Sequence, residues 1–114
     1  MNGLPNNEVA HKEVVMIKVI VEGHVKEGNS LPPLLRELRA AAMHQPGYIT
    51  GETLVSTEDK SIVVVISTWR SLEDWKTWET SETRAKLYQQ IEPLLREKPR
   101  VSIYEVMATE EKAG

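Results

Sequence analysis

Residues 61–69, SIVVVISTW, carry five consecutive β-branched aliphatics at 62–66. Successive side chains in a strand point to opposite faces, so this run makes both faces of its sheet apolar. The first strand, VVMIKVIVEG at 14–23, reads the same way except at Lys18. The chain's own helices can cover one face, and something else must cover the other. A chain of 114 residues buries only about two-thirds of the surface its unfolded form exposes. A second copy of the sheet is the simplest cover, and a homodimer is the expected assembly.

The remaining segments complete a pattern around these two strands. NSLPPLLRELRAAAMHQPG predicts a helix capped by Ser30, with Pro32 and Pro33 in its first turn, where an amide hydrogen has no intrahelical partner anyway. Leu31, Leu34, Leu35, Leu38, Ala41 and Ala42 repeat at helical spacing, and Pro46-Gly47 stops the run. YITGETLVS at 48–56 joins SIVVVISTW through the acidic turn TEDK, which predicts a hairpin with a four-residue connection. Ser71 with Asp74 opens a second helical segment, which breaks near TSET at 80–83 and restarts behind Ser81. Its second part carries Leu87, Tyr88, Ile91, Leu94 and Leu95 on one side. RVSIYEVMA at 100–108 is the last strand. The order βαββαβ predicts an α+β, ferredoxin-like split-βαβ sandwich with both helices on one face of a four-stranded antiparallel sheet. Residues 14–108 form this single domain, between a lead-in at 1–13 and a solvated tail at 109–114.

Composition excludes several functions. A net charge of −3 and no basic run argue against nucleic-acid and anionic-membrane partners. With no Cys, there is no disulfide, thiolate metal site or Cys nucleophile. No apolar run approaches the ~18 residues of a membrane span, and the polar lead-in does not resemble a secretion signal, so a cytoplasmic location is the expectation. No nucleophile elbow, phosphate loop or dinucleotide fingerprint occurs, and the three His show no metal-ligand spacing.

The chain has no Phe, yet all three Trp fall within ten positions, at Trp69, Trp75 and Trp78. Each has two readings. Trp69 ends a buried strand and packs there, or walls a pocket; Trp75 has ordinary helix-face spacing to Leu72 and Trp78 and leans towards the rim or the sheet. Tyr88 shares a stripe with Ile91 and Leu95, so it packs with its hydroxyl reaching water or offers that hydroxyl to a ligand. His44 stands in the last turn of the first helix, favouring the helix dipole, or serves as a proton acceptor. Lys18 is expected to pair with Glu105, since a lone buried ammonium is costly.

PGYITGETLVS, VVVISTWRSLEDWKTWETSE and VSIYEVM resemble the antibiotic biosynthesis monooxygenase family of dimeric α+β barrels, over roughly residues 14–108. The resemblance implies a ferredoxin-like protomer whose sheet packs on its mate's, with a ligand pocket between helices and sheet. Family activities include cofactor-free oxygenation of aromatic polyketides and quinols, and haem degradation; many members have no established activity. For haem degradation the resemblance implies an Asn on the first strand, a helical Trp and an axial His ten residues later. Trp78 matches the Trp, but Tyr88 stands where the His belongs, and the first strand has no Asn. Haem is therefore not the expected cofactor, and haem degradation, with the Tyr88 phenolate on the iron, is the weakest of three readings. The expectation is a cofactor-independent monooxygenase acting on a small aromatic or quinol-like molecule, with His44 and Tyr88 as catalytic residues and Trp69 and Trp78 binding substrate. The alternative is a catalytically silent dimeric domain that binds a small ligand or serves assembly.

Overall fold

The computed structural model describes residues 15–27 and 31–113. Strands β1 (Ile17–His24), β2 (Tyr48–Val55), β3 (Ile62–Trp69) and β4 (Arg100–Glu105) form one antiparallel sheet in the order β2-β3-β1-β4. Helices α1 (Leu31–Met43), α2 (Leu72–Glu79) and α3 (Glu82–Ile91), followed by a 3-10 turn at Glu92–Leu94, complete the βαββαβ arrangement. This is the ferredoxin-like α+β fold that the sequence predicts. The Ser30 cap and the lead-in fall outside the described residues.

Strand β1 sets the inside and outside of the molecule. Ile17, Val19 and Val21 are buried, while Lys18 and Glu22 are exposed. The buried set meets Leu31, Leu38 and Ala42 of α1, the three Trp, and Leu87 and Ile91 of α3 in one core cluster. The register carries this alternation across the sheet: Val19 stands opposite Ser67 and Ile103, and Lys18 opposite Thr68 and Tyr104. Lys18 therefore does not pair with Glu105. Glu105 sits opposite Ile17, on the other face, because neighbouring positions in a strand point in opposite directions. Lys18 needs no buried partner, since it is exposed. The outer face of β1 is also less uniformly apolar than expected from sequence, where only Lys18 is excepted, because Glu22 shares it with Lys18.

The helical break falls where the sequence places it. Ser71 Oγ accepts from Asp74 N at 3.1 Å, and Ser81 Oγ accepts from Arg84 N at 3.2 Å, so each short helix starts on its own cap. The β2–β3 connection spans 56–61, longer than predicted. Ser56 Oγ accepts from the amides of Glu58 and Asp59, and Asp59 Oδ1 from Ser61, which holds a compact loop instead of continuing the ladder. At the far end of β1, Arg96 N donates to His24 O at 2.7 Å and Lys26 N to Leu94 O at 2.8 Å, tying the helical layer's exit to the sheet.

Candidate active site

The PGY segment builds one wall of a cavity. Gly47 has φ 86°, in the left-handed region that favours glycine, and a Cβ there would overlap the Asp74 carboxyl group. Arg70 N donates to Gly47 O at 2.8 Å, so the start of β2 is tied to the start of α2. A bulge follows: Tyr48 stands opposite Trp69 and Thr50 opposite Thr68, leaving Ile49 as the extra residue. Without it Ile49 would face Trp69. The bulge turns Tyr48 inward in its place. Gly51 makes room for the ring, since a Cβ there would meet the Tyr48 hydroxyl.

Aromatic contacts continue inward. Tyr48 meets Trp69 edge to face with centroids 5.3 Å apart, and Trp69 meets Trp75 at 5.8 Å. Trp69 Nε1 donates to Ser67 Oγ at 2.9 Å, whereas the buried Trp75 Nε1 has no hydrogen-bond partner. The Arg84 guanidinium lies 5.3 Å from the Trp75 ring centroid and 4.3 Å from that of Tyr88. These groups, with Trp78, Arg39, Val65 and residues of α1, enclose a cavity of about 40 Å³ between helices and sheet. That space takes a water or a diatomic gas; the benzene-sized cavities known in protein cores are about 150 Å³. Leu35 and Arg39 also line a neighbouring cleft of about 440 Å³.

Each phenol in the cavity wall is coupled to a guanidinium. Burial raises the Tyr88 hydroxyl above the usual tyrosine range, with Arg84 opposing and Glu92 reinforcing the shift. Tyr48 is raised by burial too, against the charge of Arg39. Both hydroxyls are therefore protonated at neutral pH and suited to donate a hydrogen bond, not to remove a proton.

Of the residues singled out from sequence, Trp69, Trp78 and Tyr88 line this cavity together. His44 does not: it is exposed just beyond α1, on an amide that donates to Ala41 O at 3.3 Å. Trp75 leans on the sheet through Trp69 and is buried, not at a rim. Sequence reasoning passed over Arg39, Tyr48 and Arg84. The signal for Arg84 was its place four residues before Tyr88, one helical turn away; the inward turn of Tyr48 had no signal, because the bulge shows only in the register.

The sequence profile described as antibiotic biosynthesis monooxygenase matches residues 16–90, more than half of the chain. The chain belongs to the antibiotic biosynthesis monooxygenase family. Comparison with curated proteins finds no match. Among solved structures this family domain is similar to a putative antibiotic biosynthesis monooxygenase from Nitrosomonas europaea (TM-score 0.77, 16% identity, covering 83% of this chain and 93% of that one). It is also similar to a mutant of SnoaB, a cofactor-independent oxygenase from Streptomyces nogalater (TM-score 0.76, 11% identity, 85% and 98% covered). A conserved protein from Methanosarcina mazei gives a TM-score of 0.74 at 16% identity, with 80% and 92% covered. At these identities the likeness concerns the fold.

No group of three or more His, Asp or Glu placed to hold a metal occurs among the described residues. The cavity of about 40 Å³ is by itself far below the size of the haem macrocycle, and the Arg84 guanidinium lies over the Tyr88 ring. No helix among the described residues is long and apolar enough to cross a membrane.

Proposed function

We propose that the protein is a cofactor-independent monooxygenase acting on a small aromatic or quinol-like molecule, and that it works as a homodimer closed through the outer sheet face. One observation carries the reading. Trp75, whose buried indole N–H has no partner, lines the cavity together with two protonated phenols, two arginines and Ser67, among otherwise apolar side chains. A buried N–H left unpaired costs about 1–3 kcal/mol, which an acceptor oxygen on a ligand would recover. Tyr88 is the second donor to such an oxygen. The Arg39 and Arg84 charges favour the anion of a bound phenol or quinol over its neutral form, which is the form that reacts with O₂. One atom of O₂ enters the substrate as a carbonyl oxygen and the other leaves as water; the substrate supplies all four electrons, its phenol and one ring C–H becoming a quinone. The proton acceptor is a solvent molecule or a further group on the substrate, since His44 lies outside the cavity.

The small volume of the cavity favours a second reading, a silent small-ligand-binding or assembly domain. Oxygen uptake separates the two. With protein stripped of metal and flavin, a panel of quinols should give uptake above the uncatalysed rate, reduced about tenfold or more in Tyr88→Phe. Uptake equal to the blank across the panel would leave the binding-domain reading.

A further inference from the structure

The cleft of about 440 Å³ lies between α1 and the β2–β3 half of the sheet. Its apolar walls include Val25, Leu31, Val55 and Val63. Its charged groups are Arg36, Arg39 and Lys60, and no carboxylate lines it among the described residues. Three cations gathered in one concave site run against the chain's net charge of −3. None of the three joins a described ion pair; those are His24 with Asp59 and Lys76 with Glu79. Like charges in a concave, partly apolar site repel one another, and a bound anion relieves that repulsion.

Arg39 is the pivot of the arrangement. Its Nη1 donates to Thr53 Oγ1 at 2.8 Å, which fixes the guanidinium plane and leaves further donors for a ligand. It also lines the aromatic cavity, as does Leu35, so Arg39 borders both spaces. The aromatic cavity alone is too small for a ring, whereas the cleft lies within the roughly 300–1,000 Å³ of small-molecule sites.

We propose that the natural ligand is an aromatic carboxylate, bound with its carboxylate among Arg36, Arg39 and Lys60 and its ring directed past Arg39 towards Trp78 and Tyr88. This names the substrate class for the reaction site proposed above, and it rests on that reading for the direction of the ring. The carboxylate takes a charge-assisted, two-pronged hydrogen bond from Arg39, while Arg36 and Lys60 add field at the exposed side. The apolar walls hold the carbon body and keep water from it. An uncharged quinol of the same size forgoes the charged contacts and leaves the three cations unneutralised.

Calorimetric titration without oxygen tests this, using a hydroxynaphthoate and the naphthol that lacks its carboxylate. The carboxylate should bind about tenfold tighter or more at low salt, and the advantage should shrink as salt rises. Arg39→Gln should abolish the preference, and Arg39→Lys should restore only part of it, because an ammonium cannot make the two-pronged bond. The double variant Arg36→Gln/Lys60→Gln changes two exposed side chains and should lower the preference several-fold, by about threefold or more, with an unchanged melting temperature. Equal affinity for the two compounds overturns the proposal, as does no binding of either, or a preference that survives removal of all three cations. Since oxygen is absent, the result does not depend on turnover. A carboxylate preference with no oxygen uptake in air sinks the monooxygenase reading alone. Uptake on the neutral naphthol, with no preference, sinks this one alone.

Discussion

At the scale of single residues, the three indoles share one cavity but differ in what they hold. Trp69 is fully buried at the end of β3, bonded through Nε1 to Ser67 and packed between Tyr48 and Trp75. Trp69→Ala should cost on the order of 3–5 kcal/mol in chemical denaturation. Trp78 is 3% exposed, so Trp78→Ala should cost stability as well, and truncation alone cannot isolate a ligand role there. Trp75 offers the sharper separation. Trp75→Phe keeps an aromatic ring and removes the unpartnered N–H, so it should cost under about 2 kcal/mol in stability while weakening ligand binding about fivefold or more. Unchanged affinity in that variant would show that the N–H serves no ligand. Tyr88 adds a pH signature. Its folded pKa is raised, so the stability owed to burying the neutral phenol is complete below pH 10.0, the ordinary tyrosine value. It is lost as pH climbs from there through the folded value. Urea midpoints measured from neutral pH to above 10.0 should fall in the wild type and fall less steeply in Tyr88→Phe; parallel curves would contradict the assignment.

At the scale of elements, the site depends on how β2 begins. The left-handed Gly47, its carbonyl bond to Arg70, and the bulge at Ile49 together deliver Tyr48 to Trp69. Gly47→Ala meets two obstacles, a positive φ and the Asp74 carboxyl. It should destabilise by about 2 kcal/mol or more, of which about 1–2 is backbone strain. Repeating it in an Asp74→Ala background should recover the steric part and leave the strain. If the two losses are identical, Asp74 is not the obstacle. The caps at Ser71 and Ser81 matter in the same way: two short helices, each started by a serine, place Trp75 and Trp78 on one and Arg84 and Tyr88 on the other, around a common space.

For the molecule as a whole, the outer sheet face is what remains to be covered. Ile20, Ile62, Val64 and Ile66 share that face by register with the exposed Leu54 and Tyr104. Val65 points the other way, into the cavity wall. Glu22 stands opposite Val64 in the ladder, so a lysine at that position would find a counter-ion and an aspartate would not. Val64→Asp should therefore give a folded monomer by light scattering, since an unpaired charge in a closed sheet contact costs several kcal/mol, about 3–5. Val65→Asp should lower the melting temperature instead, by placing a charge in the core. A wild-type monomer at micromolar concentration would end the dimer proposal.

The sequence determined the element order, both serine caps on the second helical segment, the stripe of α1 and the two-faced character of β3. Each of these depends on side chains close along the chain, through helical spacing, strand alternation or a cap three residues away. Trp69, Trp78 and Tyr88 could be nominated for one pocket only because the family resemblance placed them there. Tertiary structure alone decided that Lys18 and Glu105 lie on opposite faces, that His44 stands outside the cavity, and that Tyr48, Arg39 and Arg84 line it. Those facts follow from register, from one inserted residue in β2, and from the angle at which separate helices meet the sheet. A one-residue shift in pairing reverses which face a side chain occupies, and nothing in the local sequence fixes that shift; the packing of the whole core does.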